Sequence, residues 1–139
     1  AVSADDRWAI SDALAEYAYR WDAKDAASFA RLFTDDAEID WVLGGEPVEQ
    51  TVQGRTDIEA YARQAQGDRI GEKQSRHHFS NLAFRELGDD TAITDNMLLV
   101  THQPPGGTIE VKSSGVYRIT WSKVDGDWLI SRRTLHVDR

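Results

Sequence analysis

The sequence lacks cysteine altogether among its 139 residues. Disulfide bonds, thiolate nucleophiles and cysteine-ligated metal sites are therefore excluded, and the fold must rest on packing alone. Long apolar runs are missing as well, since none approaches the roughly 18 residues that a membrane-spanning helix needs. The first residues contain neither a basic region nor an apolar stretch, so no signal peptide is visible and we expect a cytoplasmic protein.

Positive charge is also scarce. The sequence has 16 Lys and Arg residues against 24 Asp and Glu residues, which gives a formal net charge of −8 at pH 7. Because phosphate binding needs a basic face, this balance argues against a nucleic-acid partner. It also disfavours an anionic membrane surface. Neither inference argues against a neutral or cationic small molecule as the ligand.

Recognisable metal and phosphate motifs are missing too. The four histidines form neither i, i+4 pairs on a helix nor a His-x-His spacing, which makes a zinc or iron site unexpected. No phosphate-binding glycine loop is present. The sequence therefore predicts a site without metal or cofactor.

The three prolines fall in two turn-like segments, 44–47 and 103–107, and they break elements rather than domains. We see no repeat, no low-complexity tract and no linker, so one domain over residues 1–139 is expected. Five tryptophans supply large apolar area to a core or a pocket.

Helical periodicity dominates the first part of the chain. Ile10, Leu14, Tyr17 and Trp21 share one face of a helix predicted over 3–23. Ser3 is its expected amino-terminal cap, with an acid in the first turn. A second helix is predicted to begin at Asp25, to carry Phe29, Leu32 and Phe33, and to end at 34–36; a third is expected over 56–66.

Alternating patterns predict six strands, over 37–43, 48–53, 75–87, 91–103, 108–124 and 127–137. Asp125-Gly126 is the expected dipeptide for the last hairpin turn. Helices gathered before a run of strands indicate a segregated α+β fold. A strongly curved sheet around a helical layer would leave a concave cavity, which is where small ligands bind.

Three groups of residues resemble one known family. The first is the start of the chain, with Tyr17-x4-Asp22-x2-Asp25 and then Leu32-Phe33-Thr34-Asp35-Asp36-Ala37. The second is Arg76-His77-His78-Phe79-Ser80-Asn81, and the third is the closing hairpin with Gly115-Val116-Tyr117 and Arg132-Arg133. Together they are similar to the SnoaL-like family of the nuclear transport factor 2-like superfamily. The resemblance implies a cone-shaped α+β barrel, in which three amino-terminal helices pack on a curved, mostly antiparallel sheet that encloses a pocket.

The resemblance also implies a chemical centre. Scytalone dehydratase, bile-acid 7α-dehydratase and hexachlorocyclohexane dehydrochlorinase, in the same superfamily, use a buried aspartate and histidine as a dyad. Asp22 and His77 match those positions by order and motif. Independently, an aspartate at the carboxyl end of a helix is disfavoured by the macrodipole, and such broken rules cluster at functional sites. His78 should point to the opposite sheet face.

Further candidates follow from the same resemblance and from strand parity. Tyr17 matches a tyrosine of the bile-acid enzyme, and Arg132 and Arg133 compete for a recurring arginine position. His102 lies on a strand comparable to one that carries a second histidine in scytalone dehydratase. The expected catalytic set is Asp22, His77, Tyr17 and Arg133; the expected substrate-binding set is Trp21, Phe33, Trp41, Met97, His102 and Tyr117. Each of these residues also has a purely structural interpretation, as core or surface.

The leading hypothesis is an acid–base lyase or isomerase, dehydratase-like or cyclase-like, acting on a small hydrophobic carbonyl compound such as a steroid, polyketide or terpenoid. His77 would remove a proton beside the carbonyl while Asp22 orients it. One alternative is a non-catalytic ligand-binding or assembly domain, and another is an isomerase that uses the aspartate alone. Because the fold hosts many chemistries, the reaction stays open. A homo-oligomer, trimer or dimer, is the expected assembly.

Overall fold

A computed structural model describes residues 4–138, which contain three α-helices, one π-helical turn and six strands. The helices are α1 (Ala4–Asp22), α2 (Ala26–Ala30) and α3 (Arg55–Gln64), and the π turn (Ala65–Ile70) follows α3. The strands are β1 (Phe33–Leu43), β2 (Glu46–Gln53), β3 (Gln74–Leu87), β4 (Thr91–Gln103), β5 (Glu110–Val124) and β6 (Asp127–Val137). None of the helices among residues 4–138 combines the length and the apolar composition of a membrane span.

Helix α1 forms as the apolar spacing predicts. Ile10, Leu14, Tyr17 and Trp21 are all buried on its inner face. Acidic residues occupy the first turn, where the macrodipole favours them. The predicted cap, Ser3, lies outside the described residues.

The passage from α1 to α2 depends on two residues. Lys24 adopts a left-handed conformation, with φ of 58°, which stops the helix. Asp25 then caps α2 as predicted, because its carboxylate accepts a hydrogen bond of 3.1 Å from the amide of Ser28. Asp22 is therefore not needed as a cap.

Several predicted boundaries are wrong. Helix α2 ends at Ala30, and β1 already begins at Phe33 rather than at 37. The reason is long-range pairing, since Phe33 lies beside Ile130 of β6 and the carbonyl of Leu32 accepts from the Ile130 amide at 2.8 Å. The third helix is α-helical only to Gln64 and then widens into the π turn, which Gly71 ends with φ of 59°.

The six strands form one sheet in the order β2-β1-β6-β5-β4-β3. Only the pairing of β1 with β6 is parallel. Register shifts interrupt each pair of neighbouring strands, and such bulges bend a sheet. One lies at Asn81 in β3, whose φ of 57° suits asparagine better than most residues. Curvature therefore comes from bulges along the strands.

The sheet wraps around the three helices without closing, and its concave face carries the core. Phe29, Ile58, Ile119 and Trp121 are among its fully buried side chains. The predicted fold class, helices packed on a strongly curved and mostly antiparallel sheet around a pocket, is confirmed.

Candidate functional site

Asp22, the last residue of α1, lies against the start of β3. Its Oδ1 accepts hydrogen bonds from the Ser75 hydroxyl at 2.7 Å and from His77 Nδ1 at 2.8 Å. Its Oδ2 accepts from the backbone amide of His77 at 2.8 Å. The carboxylate thus holds both the backbone and the ring of His77, and the two side chains are only 6 and 8 per cent exposed.

The surroundings keep Asp22 ionised. Burial alone would raise the pKa of its carboxyl group. The hydrogen bond and charge of the His77 ring, the Ser75 hydroxyl and the His77 amide act in the opposite direction and prevail, so the pKa of Asp22 lies below its ordinary value.

The geometry also defines the tautomer of His77. An ionised carboxylate only accepts hydrogen bonds, so the proton between Asp22 and His77 belongs to Nδ1. In the neutral ring, Nε2 then carries the lone pair. Since the His77 side chain lines the cavity, this is the nitrogen that can accept a proton there.

The carboxyl end of α1 has compensating donors. Gln74 Nε2 donates to the carbonyl of Asp22 at 2.9 Å, and Gln66 Nε2 donates to the carbonyl of Trp21 at 3.4 Å. Gln74 thus satisfies a carbonyl that the helix end leaves open, and Gln66 adds to the bond of 2.9 Å that the Trp21 carbonyl accepts from the Lys24 amide. They offset part of the unfavourable placement of Asp22 beside the negative end of the helix.

A cavity of about 460 Å³ opens between the helices and the sheet, within the size range of small-molecule sites. His77 lines it with six other predicted site residues, namely Tyr17, Trp21, Trp41, His102, Tyr117 and Arg133. Tyr61, which was not predicted as a site residue, lines it too. Asp22 does not line this cavity but lies behind His77, and both residues line a second, separate pocket. The site thus presents the imidazole to the cavity and keeps the carboxylate behind it.

Tyr17, Tyr117 and Arg133 form a polar group within the cavity wall. The Tyr17 hydroxyl lies 3.2 Å from the Tyr117 hydroxyl and accepts from Arg133 Nη1 at 3.2 Å. Burial is the main cause that raises the pKa of Tyr117, so its phenol stays neutral. The rings of Tyr17 and His77 are neighbours, with centroids 6.3 Å apart.

The structure distinguishes the two adjacent arginines. Arg133 is 5 per cent exposed, lies over the rings of Trp41 and Tyr117, and donates from Nη2 to the carbonyl of Asp40 at 3.1 Å. Its buried Nε has no hydrogen-bond partner, and no carboxylate of residues 4–138 pairs with it. Arg132 points outward and pairs with the Asp40 carboxylate at 2.6 Å.

The other histidine assignments follow strand parity. His78 is on the outer face, where Nε2 lies 3.0 Å from the Thr101 hydroxyl. His102 lines the cavity, and its buried Nδ1 has no hydrogen-bond partner among residues 4–138. Burial first, and then neighbouring positive charges, lower the pKa of His102.

Two of the expected substrate-binding residues do not reach the cavity. Phe33 is fully buried behind it, against Phe29 and Tyr17. Met97 is 52 per cent exposed on the outer face, because side chains alternate along a strand and Leu98 of the same strand points inward. Both expectations are corrected.

Sequence reasoning missed other residues of the site. Ser75 has a readable signal, because it lies two positions before His77 and so shares its sheet face. Arg69, Lys73 and Lys112 also line the cavity. They come from the π turn, the turn after it and the start of β5, where no periodic pattern indicates an orientation. Over the described range 4–138, no three His, Asp or Glu side chains are placed to hold a metal ion together.

Residues 2–134 match the family model described as SnoaL-like domain. No curated protein sequence matches the chain.

Three solved structures are similar over nearly the whole chain. Aln2 from a Streptomyces species is 28% identical, with a TM-score of 0.86, covering 99% of this chain and 94% of that one. A protein of unknown function from Mycobacterium tuberculosis is 25% identical, with a TM-score of 0.82 and coverages of 99% and 77%. A Novosphingobium aromaticivorans protein assigned as a scytalone dehydratase is 22% identical, with a TM-score of 0.80 and coverages of 96% and 84%, a likeness that shows the fold alone. Since the family match spans nearly the whole sequence, this chain belongs to the SnoaL-like domain family.

Proposed function

We propose that this protein is an acid–base lyase or isomerase in which His77 removes a proton next to a carbonyl group, without a metal or organic cofactor. The observation that carries the proposal is the contact of 2.8 Å between Asp22 Oδ1 and His77 Nδ1, which leaves Nε2 as the basic nitrogen of the cavity. A positioned imidazole of this kind contributes about 10²–10⁴-fold to proton transfer. Asp22 orients the ring and stabilises the imidazolium that forms.

The carbonyl oxygen would face the polar group of the cavity wall. The Arg133 guanidinium lies beside the paired hydroxyls of Tyr17 and Tyr117, and the negative charge of an enolate would develop next to this group.

The walls favour an apolar, ring-containing substrate. Trp21, Trp41, Tyr61 and Tyr117 give aromatic faces to the cavity, beside Leu98 and Leu135. Steroids, polyketides and terpenoids fit this lining. Dehydration, double-bond migration and aldol-type cyclisation all begin with the same proton abstraction, so the proposal covers their common first step.

The test is hydrogen exchange on carbon. A panel of cyclic ketones, such as 2-tetralone and an androstenedione, is incubated with the protein in D₂O, and loss of the proton signal beside the carbonyl is followed by NMR. Exchange faster than in buffer is expected for at least one ketone that binds the cavity. The variant His77→Gln should lose about 10²-fold or more of that rate.

The neighbouring histidine supplies the matched control. His78→Gln changes the same residue type one position away on the outer face, and it should leave the rate unchanged. If ketones bind but none exchanges, or if both variants exchange equally well, His77 is not the base. Retained exchange in His77→Gln with loss in Asp22→Asn would instead indicate an isomerase that uses the aspartate alone.

The alternative, a non-catalytic binding or assembly domain, has one observation in its favour. Asp22 has its hydrogen bonds satisfied inside the protein and does not line the cavity, as a structural pair with His77 would require. Ketone binding without exchange in the same experiment would support this function.

We also propose self-association through the outer face of the sheet. Met97, Leu99 and Val111 share this face and are 52, 39 and 66 per cent exposed. Adjacent exposed apolar residues of this kind mark interaction sites. Light scattering after size exclusion should give a dimer or trimer for the natural protein and a smaller species for Met97→Glu; a monomer in both cases contradicts the proposal.

A further inference from the structure

The charge of the cavity differs in sign from the charge of the whole protein. Four side chains that are cationic at neutral pH line it, namely Arg69, Lys73, Lys112 and Arg133. No Asp or Glu of the described residues does so, although the sequence contains 24 of them and carries a net charge of −8. Such a cavity focuses a positive field in an otherwise negative molecule.

Three of these cations form a mouth cluster, defined as Arg69, Lys73 and Lys112. Arg69 and Lys112 are exposed and Lys73 is half-buried, yet all three line the cavity, so they lie at its opening. They approach from two sides, from the segment that follows α3 and from the start of β5.

The mouth cluster is weakly neutralised. Lys112 lies 3.9 Å from Glu110, at the limit of an ion pair, and Arg69 donates to the Tyr61 hydroxyl at 3.4 Å. No ion pair of residues 4–138 involves Lys73. The positive charges of Lys112, Lys73 and Arg69 add to burial in lowering the pKa of His102, which lines the same cavity. Outside the cavity, by contrast, Arg118 and Arg132 each contact an aspartate at 2.9 and 2.6 Å.

We propose that the substrate is an anion, an apolar ring body with a carboxylate or phosphate group that binds the mouth cluster. This inference rests on the proposed function and adds an orientation to it. The acidic group stays at the opening, where it keeps part of its hydration. The ring body then reaches past His102 towards His77, and the reacting carbonyl meets Arg133 and Tyr17.

Arg133 is less suited to hold the acidic group itself. Two of its nitrogens already donate to Tyr17 and Asp40, and its guanidinium lies over two aromatic rings. A carboxylate there would have to lose its hydration completely, and complete desolvation of a charge is unfavourable unless the pairing is excellent. At the mouth the same charge is attracted with little desolvation.

Calorimetric titration with three probes of one shape tests the proposal. The probes are 2-naphthoate, 2-naphthyl phosphate and the neutral methyl 2-naphthoate. For the natural protein we expect at least one anion to bind roughly tenfold tighter than the ester, because each of three exposed charge pairs contributes modestly. This preference should shrink in 1 M salt. Preference for the phosphate would indicate a phosphorylated carrier group, and preference for the carboxylate would indicate a free acid.

Substitutions show which residues cause the preference for the anionic probes. The triple substitution Arg69→Gln, Lys73→Gln and Lys112→Gln should abolish the preference for the anions and leave the ester's affinity within about twofold. Arg85→Gln, which removes a cation from the outer face, should change neither. Thermal unfolding of each variant checks that the fold is intact.

Two results overturn the proposal. One is equal affinity for ester and anions in the natural protein. The other is an anion preference that survives the triple substitution, which would move the acidic group to Arg133. Because the readout is binding rather than exchange, an inactive Asp22–His77 pair would not mimic either result, and failure here would leave the proposed proton abstraction standing.

Discussion

The two faces of the sheet each hold an aspartate in short hydrogen bonds. On the inner side Asp22 contacts His77 at 2.8 Å; on the outer side Asp95 contacts Arg85 and Arg118, both at 2.9 Å. In both places the pKa of the carboxyl group is lowered. For Asp95 the largest cause is the hydrogen bond from Arg118, whereas for Asp22 burial opposes the shift and the contacts with His77 and Ser75 overcome it.

The difference between the partners separates structure from chemistry. An arginine keeps its proton at any physiological pH, so the outer cluster can only hold strands together. A histidine exchanges its proton near neutral pH, and the inner one lines a cavity. A lowered carboxylate pKa is therefore not by itself a sign of function. What matters is whether the group bound to the carboxylate can transfer a proton to a ligand.

The largest expected effect is on proton transfer. Asp22→Asn should lower carbon–hydrogen exchange by about 10²-fold or more, because the amide can donate to Nδ1 and so reverse the tautomer of His77. Asp95→Asn, the same substitution on the outer face, should keep the exchange rate within about twofold of that of the natural protein, because surface substitutions ordinarily have small effects. NMR exchange rates for the two variants compare the faces directly, and equal losses would contradict the distinction.

The second-largest expected effect is a difference in exchange rate between variants of the two adjacent arginines. Arg133→Met should lower the maximal exchange rate by about 10- to 10²-fold, because the enolate loses a buried donor. Arg132→Met removes only an outward ion pair and should keep that rate. Saturation curves for both variants separate the effects: a change confined to KM in Arg133→Met would mean that this residue binds substrate without stabilising the enolate.

The Asp22–His77 pair should make the free energy of unfolding depend on pH. Since the pKa of Asp22 is lower in the folded state than its unfolded value of about 3.9, its contribution is present above that value and lost as pH falls through the folded pKa. In urea unfolding at neutral pH, the free energy of unfolding of Asp22→Asn should be about 1–3 kcal/mol lower than that of the natural protein. This gap should narrow below about pH 4, and a gap that widened with acid would contradict the assignment.

The outer pairs should have the smallest effect. Asp95→Asn should cost up to about 1 kcal/mol of unfolding free energy, since partly exposed ion pairs are screened by water. Urea unfolding in low and high salt measures it, and the loss should decrease with salt. A loss independent of salt would indicate that packing, not charge, is what the substitution removes.

Much of this architecture can be predicted from local pattern. The apolar spacing of α1, the alternation of β3 to β6 and the cap at Asp25 correspond to the structure because each depends on neighbours in sequence. The start of β1 could not be predicted, because it follows from parallel pairing with Ile130, almost a hundred residues away. Likewise, the mouth cluster joins residues 69 and 112 through tertiary structure alone.

The residues of the site also divide into those that local pattern predicts and those that only the tertiary structure identifies. Strand parity predicts that His77 and His78 face opposite sides, and the family resemblance selects His77 as the inward one. Parity also excludes Met97 once His102 faces the cavity. The choice of Arg133 over Arg132 needs the three-dimensional structure, because adjacent residues on opposite faces match a sequence motif equally well. The position of Asp22 behind His77, rather than beside it in the cavity, also depends on how α1 meets β3.

The central claim is that Asp22 makes His77 Nε2 the base of the cavity, and the ¹⁵N spectrum of the histidine rings tests it most directly. Long-range proton–nitrogen correlations at about pH 8.5, where a histidine is ordinarily neutral, identify which ring nitrogen carries hydrogen. We expect His77 to be protonated at Nδ1 with a free Nε2, and Asp22→Asn to change that pattern. A natural protein in which His77 carries its hydrogen on Nε2 would have no base in the cavity at this position, and the account would be wrong.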